Sequence, residues 1–480
     1  VLTLRAPGKI VETTEVIEVC QNLDRRDFIF TSGMAGAGAF AFRALANRAA
    51  ALSADHLAFP PVSTLGYGPL FPTKSNNTGE TLLALPKGFQ YTVLGKTGAI
   101  MSDGQPTPRA HDGMAAFHVN NQLRLVRNHE VSSQTGKPGI AIGPNAYDAL
   151  AGGGTTTLVI HPDTREVVRD FVSLSGTLVN CAGGRTPWNS WISCEETLLG
   201  PSKFKDGNGQ DQGGFEQRHG YCFEVSASSD QAVRAEPLKG MGRFWHEAIA
   251  IDPRTGIVYL TEDRPAAGFY RFIPRKQRQL AAGGQLQMLA VEQRSNFDTR
   301  TGQKVGIGLP VKWVDIDNPD PAEAETDSAA VYKQGFAAGA ATFARLEGCV
   351  YGKGQIFFDS TSGGETKLGQ VWQYTPAGED RGMLTLLCQP TEASLLNMPD
   401  NMTLTPKGSV VICEDNPTTS IHLRVMNREG KVGTLARNIM VGFENREFAG
   451  VTFSPDYKTL FVNIQVPGLT LAIWGPWESI

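Results

Sequence analysis

The chain has no paired cysteines at CxxC spacing, no GxSxG elbow, no HExxH motif and no P-loop. These absences argue against a zinc knuckle, a nucleophile-elbow hydrolase, a zincin-type site and a phosphate-cradling glycine loop. Only eight histidines occur in 480 residues, scattered singly, and they propose no zinc triad. Charged residues make up 19% of the chain, too few for a disordered polyelectrolyte. No basic stripe interleaved with aromatics is present, and the net charge is -4, so nucleic acid is not expected as a partner. Beyond the N-terminal region no apolar run is long enough to span a bilayer, so no stable membrane span is expected after processing.

Cysteine is sparse as well. Of the seven, Cys20 falls in the N-terminal segment, and the six that follow make no disulfide scaffold in a chain this long. Cys349 and Cys413 lie inside apolar strand blocks and read as buried thiols. Cys181 differs, because Asn180, Gly183 and Gly184 place it at the opening of a block.

Glycine and proline are plentiful, with 53 and 28 copies, as many short strands joined by tight turns require. Six short apolar blocks carry polar residues at both ends. Asp112 opens the block closing at Glu130, and Cys181 opens the block closing at Glu195 and Glu196. Glu247 leads to Glu262 and Asp263, and Glu347 leads to Asp359. Asp400 and Asn401 lead to Glu414 and Asp415, and Gly450 leads to Asn463. The turns PRTG, TPKG and SPDY sit inside three of them. One supersecondary unit used six times predicts an all-β fold, a six-bladed β-propeller with inserted loops and a few short helices. Its ring is expected to close by a split or velcro-type blade. The segment DSAAVYKQGFAAGAATFAR is expected to supply helix at the rim.

In a propeller the innermost strand of each blade lines the channel. Equivalent positions then form a ring of Asp112, Cys181, Glu247, Glu347, Asn401 and Gly450. Carboxylates crowded there repel each other and protonate unless cations hold them. Oxygen ligands suit a hard cation such as calcium, and a thiolate among them favours a transition metal such as iron. Taken one at a time, each of these acids reads more simply as a solvated strand end. Arg345 stands two residues before Glu347, on the same strand face, where a guanidinium suits an anionic substrate or neutralises Glu347. His129 and His246 each precede an acid, face the other way, and are expected to hydrogen-bond within the fold.

Arg25 and Arg26, followed by a Gly/Ala-rich weakly apolar stretch and small residues to Ala54, read as a twin-arginine export signal over residues 1–54. Residues 55–480 are then one propeller domain. The expected partner is the twin-arginine translocation machinery, and the expected location is periplasmic or extracellular.

Several long motifs resemble the PhoX-type alkaline phosphatases: RNHE (127–130), NCAGGRTPWNSWISCEE (180–196), GRFWHEAIAIDPRTGIVYLTED (242–263), RLEG (345–348), PDNMTLTPKGSVVICED (399–415) and FAGVTFSPDYKTLFVNIQ (448–465). The resemblance implies a phosphomonoesterase acting on a small-molecule phosphate ester, with a ferric iron and calcium cluster (Fe3+, Ca2+) in the channel. It implies Cys181, Glu247 and Glu130 as metal ligands, and Glu195, Glu196, Glu347, Asp400 and Glu414 as further candidates. It makes Arg345 the residue that grips substrate. The chain departs from the better-studied branch in being shorter, in Trp245 before His246 and in Ala449 of the FAG motif. The alternatives are a calcium-dependent lactonase or phosphotriesterase-like propeller and a non-catalytic secreted binding propeller.

Overall fold

Strand follows strand from Leu70 to Trp474, and the turn chemistry explains the short connections. In DPRTG, the Asp252 carboxylate accepts the Arg254 N–H at 2.9 Å, and Gly256 takes φ +75°, a conformation that favours glycine. That turn joins strand His246–Ile251 to Val258–Glu262. The structure is a computed structural model describing residues 58–61, 63, 65–132, 139–416 and 420–479. The expected twin-arginine signal over residues 1–54, with Cys20, lies outside the described residues.

The architecture is all-β and propeller-like, with antiparallel pairing throughout the named strands. One four-stranded sheet runs from His111–Val119 outward to Val167–Thr177, and a three-stranded sheet from Asn180–Arg185 to Cys222–Ser226. A six-stranded sheet starts at Pro399–Leu404 and takes up Leu83–Pro86 and Leu70–Thr73 at its outer edge. In the last four-stranded sheet, Gln90–Lys96 pairs with Leu469–Trp474, so chain ends far apart in sequence share one sheet. This is a velcro-type closure.

The remaining sheet differs from the expected pattern of separate blades. It has nine strands, from His246–Ile251 at one edge to Leu346–Gly352 at the other. Strand Gly308–Asp315 pairs on one side with Gly284–Val291 and on the other with Arg381–Cys388. It thereby joins two strand sets that would otherwise end in free edges. The α-helix Ala330–Ala337 falls within the segment expected to be helical.

Six strands occupy the centre. His111–Val119 lies against Asn180–Arg185, which lies against His246–Ile251. Leu346–Gly352, Pro399–Leu404 and Phe448–Phe453 continue the series, and the last lies against the first. Apolar residues fill the space between the sheets. Val411, Leu423, Leu435, Val462 and Leu471 are fully buried in one such layer. Phe269 stacks on Phe358 at 4.0 Å in another. Removing such a ring from a packed core costs about 3–5 kcal/mol, so these layers hold the central strands in place.

Candidate metal centre

Each central strand pairs with its outer neighbour in regular register except at one place. The register slips between His111 and Met114, Asn180 and Gly183, and His246 and Ile249. It slips again between Leu346 and Cys349, Pro399 and Met402, and Ala449 and Thr452. A bulge sets two residues opposite one and re-aims the side chains there. The first bulged residues are Asp112, Cys181, Glu247, Glu347, Asp400 and Gly450. The register thus corrects the expected ring at one position, with Asp400 taking the place of Asn401. Asn401 instead donates its amide to Asp400 Oδ1 at 2.8 Å and accepts the Gly450 N–H.

Small residues make the bulges possible. A Cβ on Gly348 would stand 2.3 Å from the Asp400 carbonyl oxygen, and one on Gly450 2.3 Å from that of Asp112. Gly450 also has φ +63°, so its place in the ring is filled by backbone alone. Polar side chains fix the carbonyls of the ring residues. Asn128 donates to Cys181 O at 3.0 Å, Thr261 to Glu347 O at 2.6 Å, and Asn463 to Asp112 O at 2.6 Å. Two residues before four of the ring positions, Ala110, Val179, Arg345 and Met398 adopt left-handed φ of 47–54°. Their carbonyls accept the N–H groups of Glu130, Glu196, Thr361 and Asp415. Strained backbone recurring at equivalent points marks a functional region.

Ligand-type atoms from Asp112, Glu130 and Cys181 lie within 4.8 Å of one another. The same holds for Cys181, Glu196 and Glu247, and for Glu247, Glu347 and Asp400. Cys181 belongs to the first two groups and Glu247 to the last two, so the three groups form one continuous array. Gln465 donates to both Asp112 Oδ2 (2.7 Å) and Glu130 Oε2 (2.6 Å) at one end.

The array crowds acids together, with Asp112, Glu247, Glu347 and Asp400 buried and Glu130, Cys181 and Glu196 half-buried. Burial pushes the carboxyls of Asp112, Glu196, Glu247, Glu347 and Asp400 well above the usual carboxylate range, and neighbouring acids push them further. Burial and the surrounding acids raise the Cys181 thiol in the same way. Neither carboxylate oxygen of fully buried Glu247 has a hydrogen-bond partner. Orphaned buried oxygens between further acids and a thiol fit bound cations. The Glu247–Glu347–Asp400 group offers oxygen only and suits a hard ion, while the two Cys181 groups suit a thiophilic transition metal.

Two of the expected ligands stand elsewhere. Glu195 is fully buried and accepts from Leu178 N, Gly220 N, Tyr221 N and His219 Nδ1 at 2.7–3.1 Å. Glu414 accepts from Arg424 Nε (2.7 Å), Asn397 N and His422 N. Each is followed by another acid, and adjacent strand residues face opposite ways. Glu196 and Asp415 therefore turn toward the array, and Asp415 adds to the repulsion on Asp112, Glu347 and Asp400. Glu262 and Asp263 divide the same way. Glu262 accepts from Gly268 N and Tyr270 OH at 2.9 Å, and Asp263 reaches Arg345. His129 bonds the Arg109 carbonyl and Thr156, and His246 the Gly242 carbonyl, as expected of residues that do not ligate.

Arg345 sits at the edge of the array. Asp263 forks its guanidinium through Nε and Nη2, both at 3.0 Å, and Nη2 also donates to Glu347 Oε1 at 2.6 Å. Burial lowers its pKa, but Glu347 and Asp263 more than offset this and raise it overall. Nη1 takes part in none of these bonds.

Asp112, expected in the channel ring but not among the ligands that the resemblance implies, is a member of a ligand group, and three residues missing from the expected site, Asp263, Asp415 and Gln465, stand around it. Asp263 and Asp415 carried a readable signal, since each follows a glutamate at a strand end.

Residues 65–468 match the sequence profile of the family described as alkaline phosphatase PhoX. The chain belongs to that family. Its fold is that of PhoX from Pseudomonas fluorescens, whose structure in complex with vanadate, a transition state analogue, superimposes with a TM-score of 0.62 at 16% identity. That match covers 85% of this chain and 97% of that one. A gluconolactonase of Xanthomonas campestris aligns at 11% identity and a TM-score of 0.41, over 88% of this chain and 99% of that one. No curated protein sequence matches. Among the described residues no helix is long and apolar enough to cross a membrane.

Proposed function

We propose that this PhoX-family chain is a metal-dependent phosphatase that hydrolyses phosphate monoesters at the array of Asp112, Glu130, Cys181, Glu196, Glu247, Glu347 and Asp400. The observation that carries the reading is the pair of unpartnered oxygens on buried Glu247, at the join of two ligand groups. A phosphate dianion could not approach so many acids unless cations offset them. We assign iron to the groups sharing Cys181 and calcium to the all-oxygen group. Cations held there polarise phosphoryl oxygens and lower the pKa of water.

The chain's own residues supply binding and orientation. Arg345 directs Nη1 at a phosphoryl oxygen while its other nitrogens stay fixed by Asp263 and Glu347. Asp263 keeps the fork from collapsing onto the array. Gln465 holds Asp112 and Glu130 in register. The bulges and the left-handed residues before them prevent the ring from relaxing outward.

The reading includes a six-bladed count, in which the nine-stranded sheet is two blades fused through Gly308–Asp315. It also includes export by the twin-arginine route to the periplasm or beyond, which Arg25 and Arg26 support.

The test pairs elemental analysis with hydrolysis of p-nitrophenyl phosphate at alkaline pH. Iron and calcium should be found together, chelation should abolish turnover, and Cys181→Ala should lose iron. Undiminished turnover in a metal-stripped Cys181→Ala sample would overturn the reading.

A further inference from the structure

Outside the array, in a hydrophobic cluster with Ile192 and Ile249, lies a second sulfur site. Cys194 and Cys222 are both fully buried, and both are free thiols. They face each other directly across the antiparallel pair of Ser190–Glu195 and Cys222–Ser226. Their sulfurs are 3.5 Å apart. Directly opposed residues in antiparallel sheets have Cα atoms about 4.5–5.5 Å apart, inside the range of about 4.4–6.8 Å that a disulfide accepts. Closing the bond therefore needs side-chain rotation and no movement of strands.

We propose that Cys194 and Cys222 form a disulfide when the chain meets an oxidising thiol buffer. The two thiols give up two electrons and two protons to a low-molecular-weight disulfide such as oxidised glutathione. One S–S bond forms between Cys194 and Cys222, the reagent's S–S bond breaks, and its two halves leave as thiols. Full burial means that the exchange proceeds through local opening of the sheet edge formed by Cys222–Ser226.

The placement gives the bond a consequence. Cys194 stands two residues before Glu196, and Cys222 Sγ lies 3.4 Å from Nδ1 of His246, the residue before Glu247. His246 Nε2 meets the Gly242 carbonyl oxygen at 2.9 Å, so Nε2 carries the ring proton and Nδ1 accepts from the Cys222 thiol. The disulfide removes that donor and ties together the two strands behind Glu196. It also closes a loop of 28 residues' separation, which limits the unfolded chain. None of the other described cysteines offers this arrangement: Cys349, Cys388 and Cys413 have no other sulfur within hydrogen-bond distance, and Cys181 belongs to the array.

The experiment holds the folded full-length chain with oxidised glutathione a few degrees below its melting midpoint, then quenches with acid. Peptide mass spectrometry should find a Cys194–Cys222 cross-linked pair lighter by two hydrogens, while Cys349 and Cys413 stay alkylatable after unfolding. The oxidised chain should melt about 5 °C above the reduced one. The Cys194→Ala/Cys222→Ala double variant should show no such redox difference. Recovery of both thiols in full, or of mixed disulfides with glutathione and no cross-link, would overturn the proposal. Neither readout depends on phosphatase activity or metal content.

Discussion

Glu195 and Glu196 are neighbours in the chain and the same residue type, yet they do opposite work. Glu195 accepts four hydrogen bonds and stands beside His219. Glu196 faces acids and a thiol. Glu414 against Asp415 and Glu262 against Asp263 repeat the contrast. Glu196 and Asp415 stand among acids that repel them, whereas Asp263 is answered by Arg345; the outward acids accept hydrogen bonds, Glu262 through one oxygen only. The unpartnered oxygens of Glu247 against the fully bonded carboxylate of Glu195 show the two extremes, ligand and brace, since both residues are glutamates and both are buried. A brace contributes to folding, and a ligand detracts from it until a cation arrives.

Removing a brace should give the largest change, and it should appear in stability. Glu195→Ala leaves His219 and three N–H groups without their acceptor. Glu414→Ala takes from Arg424, a residue 1% exposed, the carboxylate that answers its charge and leaves the Thr434 hydroxyl as a neutral acceptor. Each should cost about 3–5 kcal/mol in denaturant melts, while the folded fraction keeps its metal. Unchanged melting midpoints would erase the distinction.

The converse applies in the array. Glu247→Gln should cut phosphatase activity about 100-fold and lower metal content, by analogy with other losses of metal-ligand support. In metal-stripped protein the same change should leave stability equal or improved, because it removes an uncompensated buried carboxylate. A large loss of stability in the stripped variant would make Glu247 a brace.

His219 sharpens the contrast through pH. Burial lowers its pKa, but Glu195 and Asp148 outweigh burial and lift it from 6.5 to about 9. Its folded value lies above its unfolded one, so the stabilisation is complete below about pH 6.5 and is lost as pH rises through 9. The size is about 3 kcal/mol over that window. Melts of the wild type between pH 6 and 10 should show this slope, and His219→Gln should flatten it.

The strand blocks were readable because their alternation and turn residues are local properties, and the fold follows the same sequence of blocks. The channel-facing position was readable to within one residue. The miss at Asn401 against Asp400 arises because a bulge adds a residue that no alternating pattern records. The misplacement of Glu195 and Glu414 has a different source. Period two states that adjacent acids face apart, but which of them faces inward depends on the bulge in the partner strand. The fusion of strands into one nine-stranded sheet was not readable at all, since pairing on both edges of Gly308–Asp315 depends on contacts distant in sequence.

Arg345 stands on the boundary between the two classes, and its replacement should give the smallest of these effects. It is ordered like a brace by Asp263 and yet turns Nη1 away from every bond that holds it. Lysine keeps the charge but loses the planar fork, so it can answer Asp263 or a phosphoryl oxygen and not both in fixed geometry. Arg345→Lys should raise KM for p-nitrophenyl phosphate about 10-fold, equal to about 1.4 kcal/mol, with metal content and melting midpoint unchanged. If the loss fell on melting midpoint with KM intact, Arg345 would belong with Glu195 among the braces. If metal content fell instead, its role would be to neutralise Glu347 rather than to hold substrate.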